Sequence, residues 1–201
     1  MKYLITENGK DKTYSLPTNW NGVKLDTYMR VCEVLEKDED EYKATIELLQ
    51  VLMKLDISTI EKIPLSTVRQ IYKDIAVLIQ QPIDSNLRHK IRINKTTYGF
   101  HPQLSNLTLG EFVDIEAYIK DGIYKNMHNI LSVLYRPIIK EKGVKYKIEE
   151  YQPSDERADL FKDHLTIGDV NGASVFFYRF AQELLNYSHK YLTELEAKKK
   201  T

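Results

Sequence analysis

Cysteine occurs once in the 201 residues, as Cys32, which leaves no disulfide framework and no multi-cysteine zinc or iron–sulfur site. Tryptophan also occurs once, glycine 8 times and proline 6 times, too few for a collagen-like or low-complexity chain. Neither sign of charge prevails: Lys+Arg and Asp+Glu each number 29, so no global field attracts nucleic acid, a membrane or an acidic substrate. Long apolar runs are missing as well. The longest without alanine, Val175 to Tyr178, is a fraction of a membrane span, and the apolar start at Tyr3-Leu4-Ile5 is too short for a signal peptide. These features predict a chain made and used in a reducing cytoplasm. Cys32, among Tyr28, Val31 and Leu35, reads as a small core residue and not as a nucleophile.

What is present suits a globular body. Hydrophobic residues make up 42% and charged ones 29%, and at this length folding hides roughly 70% of the unfolded chain's surface. Periodicity predicts a mainly α fold with short β-hairpins, class α+β. A first hairpin spans Tyr3 to Leu16 around Asn8-Gly9, a dipeptide suited to a turn with positive φ at both central residues. A helix from about Lys24 carries Leu25, Tyr28, Cys32 and Leu35 at three- and four-residue steps. The acidic run Glu36 to Glu41 marks a junction. Tyr42 to Leu55 is apolar nearly all round, as a central helix is. After Pro64, Ser66 is placed to cap a helix bearing Val68, Ile71, Tyr72, Ile75, Leu78 and Ile79. Pro82 ends it, and Asp84-Ser85-Asn86 reads as a linker.

A second hairpin follows at Lys90 to His101 with its turn near Asn94 to Thr96, then helices at Thr108 to Lys120 and Ile123 to Tyr135, the latter stopped by Pro137. A third hairpin runs from Ile138 to Glu149 with Gly143 in its turn, Val144, Tyr146 and Ile148 alternating with Lys145, Lys147 and Glu149. The chain closes with a helix from about Ala173 to Lys198, where Lys198-Lys199-Lys200 suits the negative end of the helix dipole.

The halves resemble each other. Shifted by 84 residues, Thr13-Tyr14 falls on Thr97-Tyr98, and after a two-residue deletion Leu48 to Leu52 falls on Ile130 to Leu134. Helical periodicity alone would align two amphipathic helices, but it does not explain the shared Thr-Tyr of the hairpins. The expectation is a duplicated hairpin–helix–helix–helix unit, residues 1–84 and 85–201, with the hairpin at 138–149 inserted in the second copy and both forming one compact body.

No constellation of residues points to catalysis. His89, His101, His128, His164 and His189 show no metal-ligand spacing. Phosphate-binding loops and nucleophile elbows have no match, and Glu149-Glu150 and Asp155-Glu156 lie in polar, turn-like stretches. No catalytic, cofactor-binding or metal-binding residue is expected, and no cofactor. Charge segregation says more than the total. Between Ser85 and Gly110 stand Arg88, Lys90, Arg92 and Lys95 with no acid, a ribbon able to meet phosphates or an acidic partner. The third hairpin carries Lys140, Lys142, Lys145 and Lys147 against Glu141. Lysine on strand edges also serves simply to deter aggregation. Tyrosine is abundant, 14 residues against 6 Phe, and several fall at hairpins, as expected of a contact surface. The candidate interface residues are Tyr98, Phe100, Val144, Tyr146, Ile148 and Tyr151.

Leu16-Pro17-Thr18-Asn19-Trp20-Asn21-Gly22-Val23-Lys24-Leu25 resembles the opening of small morphogenesis proteins of tailed phages infecting Bacteroidetes. Leu107 to Asp114, Asn129 to Ile138 and Tyr146 to Tyr151 resemble the same group. The resemblance implies a non-enzymatic protein of the virion, crAss-like particles included, assembled in the host cytoplasm as part of a head–tail connector, tail or accessory ring. It implies partners among other phage structural proteins and copies of this chain in a ring, and no membrane. A tail-assembly chaperone absent from the mature particle, and a DNA-contacting accessory protein using Arg88, Lys90, Arg92 and Lys95, stay open as alternatives.

Overall fold

A computed structural model describes residues 1–7, 9–37, 40–82, 86–170 and 172–173. The expected helix over Ala173 to Lys198, the run Val175 to Tyr178, His189, Asn8 and the linker positions Asp84 and Ser85 lie outside these residues, Ala173 itself excepted.

The chain starts with a two-stranded sheet, β1 (Lys2–Glu7) against β2 (Lys10–Ser15). Glu7 faces Lys10 in the register, so the turn holds two residues, and Gly9 takes φ +74°, a region glycine enters without steric cost. Ile5 is buried beneath this hairpin, and the Tyr3 hydroxyl donates to Asp74, so the ribbon lies on the helix that carries Asp74.

The helices follow the apolar spacing with local departures. α1 (Leu25–Glu36) buries Leu25, Met29, Val31, Cys32 and Val34, while Leu35 is 48% exposed. Leu25 and Cys32 of the expected stripe are buried and Tyr28 packs against the core, so only Leu35 departs, and Met29, Val31 and Val34 widen the buried face because this helix packs against neighbours on more than one side. α2 (Glu41–Met53) buries Leu48, Leu49, Val51, Leu52 and Met53, as a central helix does. Lys54 closes it in the left-handed region at φ +57°. A short helix, α3 (Ile57–Ile60), was not visible in the periodicity; the Asp56 side chain caps it by accepting the Thr59 N–H at 2.8 Å. α4 (Leu65–Ile79) is capped at Pro64 and not at Ser66, which lies inside its first turn. Proline at a helix start loses nothing by lacking an N–H. Ile71, Ile75 and Leu78 face the core, and Tyr72 points outward.

The second and third hairpins belong to one sheet. β3 (Lys90–Ile93), β4 (Thr96–Phe100), β5 (Tyr135–Lys142) and β6 (Lys145–Ile148) form one antiparallel sheet in that order. Phe100 faces Tyr135 and Gly99 faces Arg136 across the β4–β5 join. Between these strands come a 3-10 turn (Leu104–Asn106), α5 (Leu109–Gly122) and α6 (Met127–Leu134). α6 is shorter than expected at both ends. Tyr135 is already strand, and Pro137, read as a helix stop, sits inside β5 opposite Tyr98. α7 (Asp155–His164) completes the named elements, capped by the Ser154 side chain, and residues 167–170 and 172–173 are helical.

The fold is mixed α+β, as the periodicity predicts. Its hydrophobic core is continuous from Ile5 to Ala173 and draws on both halves. Tyr98 meets Phe161 edge-to-face at 5.0 Å, and Leu25 N–H donates to Leu165 O while Ile167 N–H donates to Val23 O, both at 2.9 Å. The order hairpin, helix, helix recurs in the two halves and then diverges, with α3 and α4 in one and β5 and β6 in the other. Equivalent positions also differ in environment: Leu25 is fully buried, while its counterpart Leu109 is 79% exposed. The internal duplication is therefore not confirmed.

Candidate interaction surface

The sheet decides which of the candidate residues reach solvent. Tyr98 and Phe100 are 7% and 2% exposed, Phe100 stacking edge-on with Tyr135 at 5.1 Å. Ile148 is buried opposite Ile138. These three are core residues, because β4 and β5 pair and the sheet gains a covered face that a lone hairpin would lack. Tyr146 is half-buried. Its ring covers Gly99, where a Cβ would collide with it, and its hydroxyl donates to Phe100 O at 2.7 Å. Tyr151 is half-buried too, its hydroxyl bonded to Asp114 and its ring 5.6 Å from the Arg136 guanidinium carbon. Only Val144 is fully presented, 90% exposed. It sits in the β5–β6 turn beside Gly143 and not on the Tyr146–Ile148 face.

The basic ribbon is partly neutralised. Arg88 pairs with Asp169 at 3.0 Å, and Lys90 pairs with Glu141 at 2.5 Å while lying 5.4 Å from the Tyr146 ring centre. Arg92, on the outward side of β3, and Lys95, in the turn beside Asn94 (φ +53°), have no ionic partner among the described residues. The four cations thus lie on a loop, a strand and a turn, and two are committed to carboxylates. The β5–β6 tip differs, since Lys140, Lys142, Lys145 and Lys147 are all exposed and free of carboxylates among the described residues.

A buried polar cluster escaped the sequence reading. Arg136 Nη2 lies 2.5 Å from Glu111 Oε1, and His101 Nε2 lies 3.6 Å from the same oxygen. Thr108 and Glu111 form a reciprocal capping box at the start of α5, and that Thr-x-x-Glu spacing is the one signal that could have singled out Glu111. Burial works to raise the Glu111 carboxyl, but hydrogen bonds from Thr108 and the Arg136 charge outweigh it and hold it below its usual value. Burial lowers His101, more than the adjacent carboxylate raises it, so His101 is neutral at pH 7. Arg136 Nε is buried without a hydrogen bond. The cluster floors an open cleft of about 820 Å³ between residues 101–111 and 146–151. Its chemistry is that of an ionic lock tying α5 to β5, since both members are charged, paired and withdrawn from solvent.

Cys32 is buried, and its surroundings push the thiol up to about 12, far from nucleophilic. Among the described residues no group of three His, Cys, Asp or Glu side chains could hold a metal ion, and no helix is long and apolar enough to cross a membrane. No known protein family, curated protein or solved structure matches this chain.

Proposed function

We propose that this chain is a non-enzymatic structural protein of a tailed-phage virion, a component of a head–tail connector, tail or accessory ring that works through subunit contacts. The β5–β6 hairpin carries this reading. Its base is locked in the sheet by Tyr146 over Gly99, while Val144 and four lysines stand exposed at its tip. A rigidly based, exposed arm presents contacts without a large ordering entropy on binding. The resemblance of residues 16–25, 107–114, 129–138 and 146–151 to phage morphogenesis proteins supplies the setting.

The test is peptide mass spectrometry on purified particles beside infected-cell lysate. A fixed, multi-copy ratio to the portal protein is expected. Abundance in lysate with absence from particles would instead favour a tail-assembly chaperone. That second reading draws on one observation: Leu109 and Val113, four residues apart on α5, are 79% and 48% exposed and offer an apolar stripe to a client segment.

A further inference from the structure

Four lysines share one face of the β5–β6 ribbon. Residues directly opposite in an antiparallel ladder project to the same side, and the register sets Lys140 against Lys147 and Lys142 against Lys145. The intervening pair, Glu141 and Tyr146, turns to the other side, where Lys90 meets both. Two like-charged pairs therefore stand face to face at the tip, and Glu141, between Lys140 and Lys142 in sequence, is already taken by Lys90. Such pairs weaken a ribbon. Beyond Pro137 both strands of the tip are edges and lysine protects each of them, but edge protection does not require the four to share one face.

A matching set of opposite charge lies on another element. Asp155, Asp159 and Asp163 follow one another at four-residue steps along α7, with Glu156 beside them, and all four are exposed. None has a cationic partner among the described residues, and the two cations of the helix turn elsewhere, Arg157 to Glu149 at 3.9 Å and Lys162 to Asp26 at 3.7 Å. Asp155 and Glu156 suit the positive start of the helix, but Asp163 stands in its last turn, where the helix dipole disfavours a carboxylate. Helix geometry places these aspartates about 6 Å apart along the axis. Strand geometry places Lys140 and Lys142 about 6.8 Å apart, so the two rows have comparable spacing.

The chain carries no net charge, yet these two sets, equal in number and opposite in sign, leave each other unneutralised within one molecule. We infer that the lysine face of β5–β6 docks on the acidic row of α7 in a second copy of this chain. The inference rests on the reading of β5–β6 as a contact arm and names what that arm meets. Two different surfaces meet in such a contact, so it propagates head to tail and closes into a ring when the rotation permits.

Sedimentation velocity on the full chain tests it, at about 50 mM and 500 mM salt, where screening of exposed charge differs strongly. Concentration-dependent association at low salt that weakens at high salt is expected. The variant Lys140→Glu/Lys142→Glu/Lys145→Glu/Lys147→Glu and the variant Asp155→Lys/Asp159→Lys/Asp163→Lys should each lose at least about tenfold in self-affinity. Mixed together they should associate again, because each presents the complement of the other. Circular dichroism checks their folding, and Lys→Gln and Asp→Asn versions read the same loss if a charge reversal fails to fold.

A wild-type chain that stays monomeric at low salt overturns the inference, as does association untouched by either variant, or a folded pair of variants that fails to associate on mixing. Steeply salt-dependent binding of a duplex oligonucleotide by a monomeric wild type, lost in the lysine variant, would make nucleic acid the occupant instead. Absence from phage particles would remove the virion reading and leave the self-association result standing.

Discussion

Arg136 and Glu111, 25 residues apart in sequence, meet through Nη2 and Oε1 with their side chains 4% and 1% exposed. They join the second residue of β5 to the first turn of α5. Removing one member strands the other charge in a low-dielectric setting, which costs far more than replacing both with apolar groups. Arg136→Met should therefore lower unfolding free energy by about 3–5 kcal/mol, and Glu111→Leu/Arg136→Met should recover most of that loss. Urea denaturation of the two variants checks this. A double variant no more stable than the single one would assign the loss to Arg136 packing.

Acid should weaken the fold in two limbs. Burial holds His101 and His128 below the ordinary histidine value of 6.5, so the unfolded chain takes up their protons first and stability declines as pH falls below about 6.5. Glu111, held below its ordinary 4.5, contributes stability that is complete above that value and disappears as pH falls through its lowered one. Urea midpoints from pH 8 to pH 3 should show both limbs, with His128→Leu flattening the first. A flat profile between pH 7 and pH 5 would show that the histidines are not desolvated.

Gly99 and Tyr146 should behave as one unit. The ring fills the space a Cβ would need, and the hydroxyl bond to Phe100 O, 2.7 Å, keeps it from swinging away. Gly99→Ala should cost about 1–3 kcal/mol through overpacking. In a Tyr146→Ala background the same change should cost much less, a coupling that a double-mutant cycle measures. Additive losses would mean that the strand backbone, and not the ring, resists the methyl group.

The Cys32 thiol, pushed up to about 12 by burial, should not react with a thiol-specific chromogenic disulfide at pH 8 while the chain is folded, and should react stoichiometrically in denaturant. Prompt labelling of the native chain would place α1 in fast local opening.

Elements set by local signals were legible from sequence. The Gly9 and Gly143 turns, the all-round apolar α2 and the Thr108 start of α5 rest on neighbours within a few residues. What the sequence withheld was the pairing of β4 with β5, a contact between segments separated by two helices that leaves no periodic trace in either. That one pairing moved Tyr98, Phe100 and Ile148 from an imagined contact surface into the core. The Arg136–Glu111 lock was hidden for the same reason. Its members look like ordinary surface charges until β5 is brought beneath α5. The lysines of the tip, by contrast, were visible as a group, though not that register puts them on one face.

The β4–β5 join also orders events in time. Each ribbon on either side closes through a two-residue turn and can nucleate on the microsecond scale of isolated hairpins. Phe100 and Tyr135 can meet only after residues 101–134 have been drawn into a closed loop, and the entropy of that closure falls before the contact rewards it. The seam is thus the slow step of sheet assembly, and a nascent chain exposes the inner edge of β4 until β5 has been synthesised.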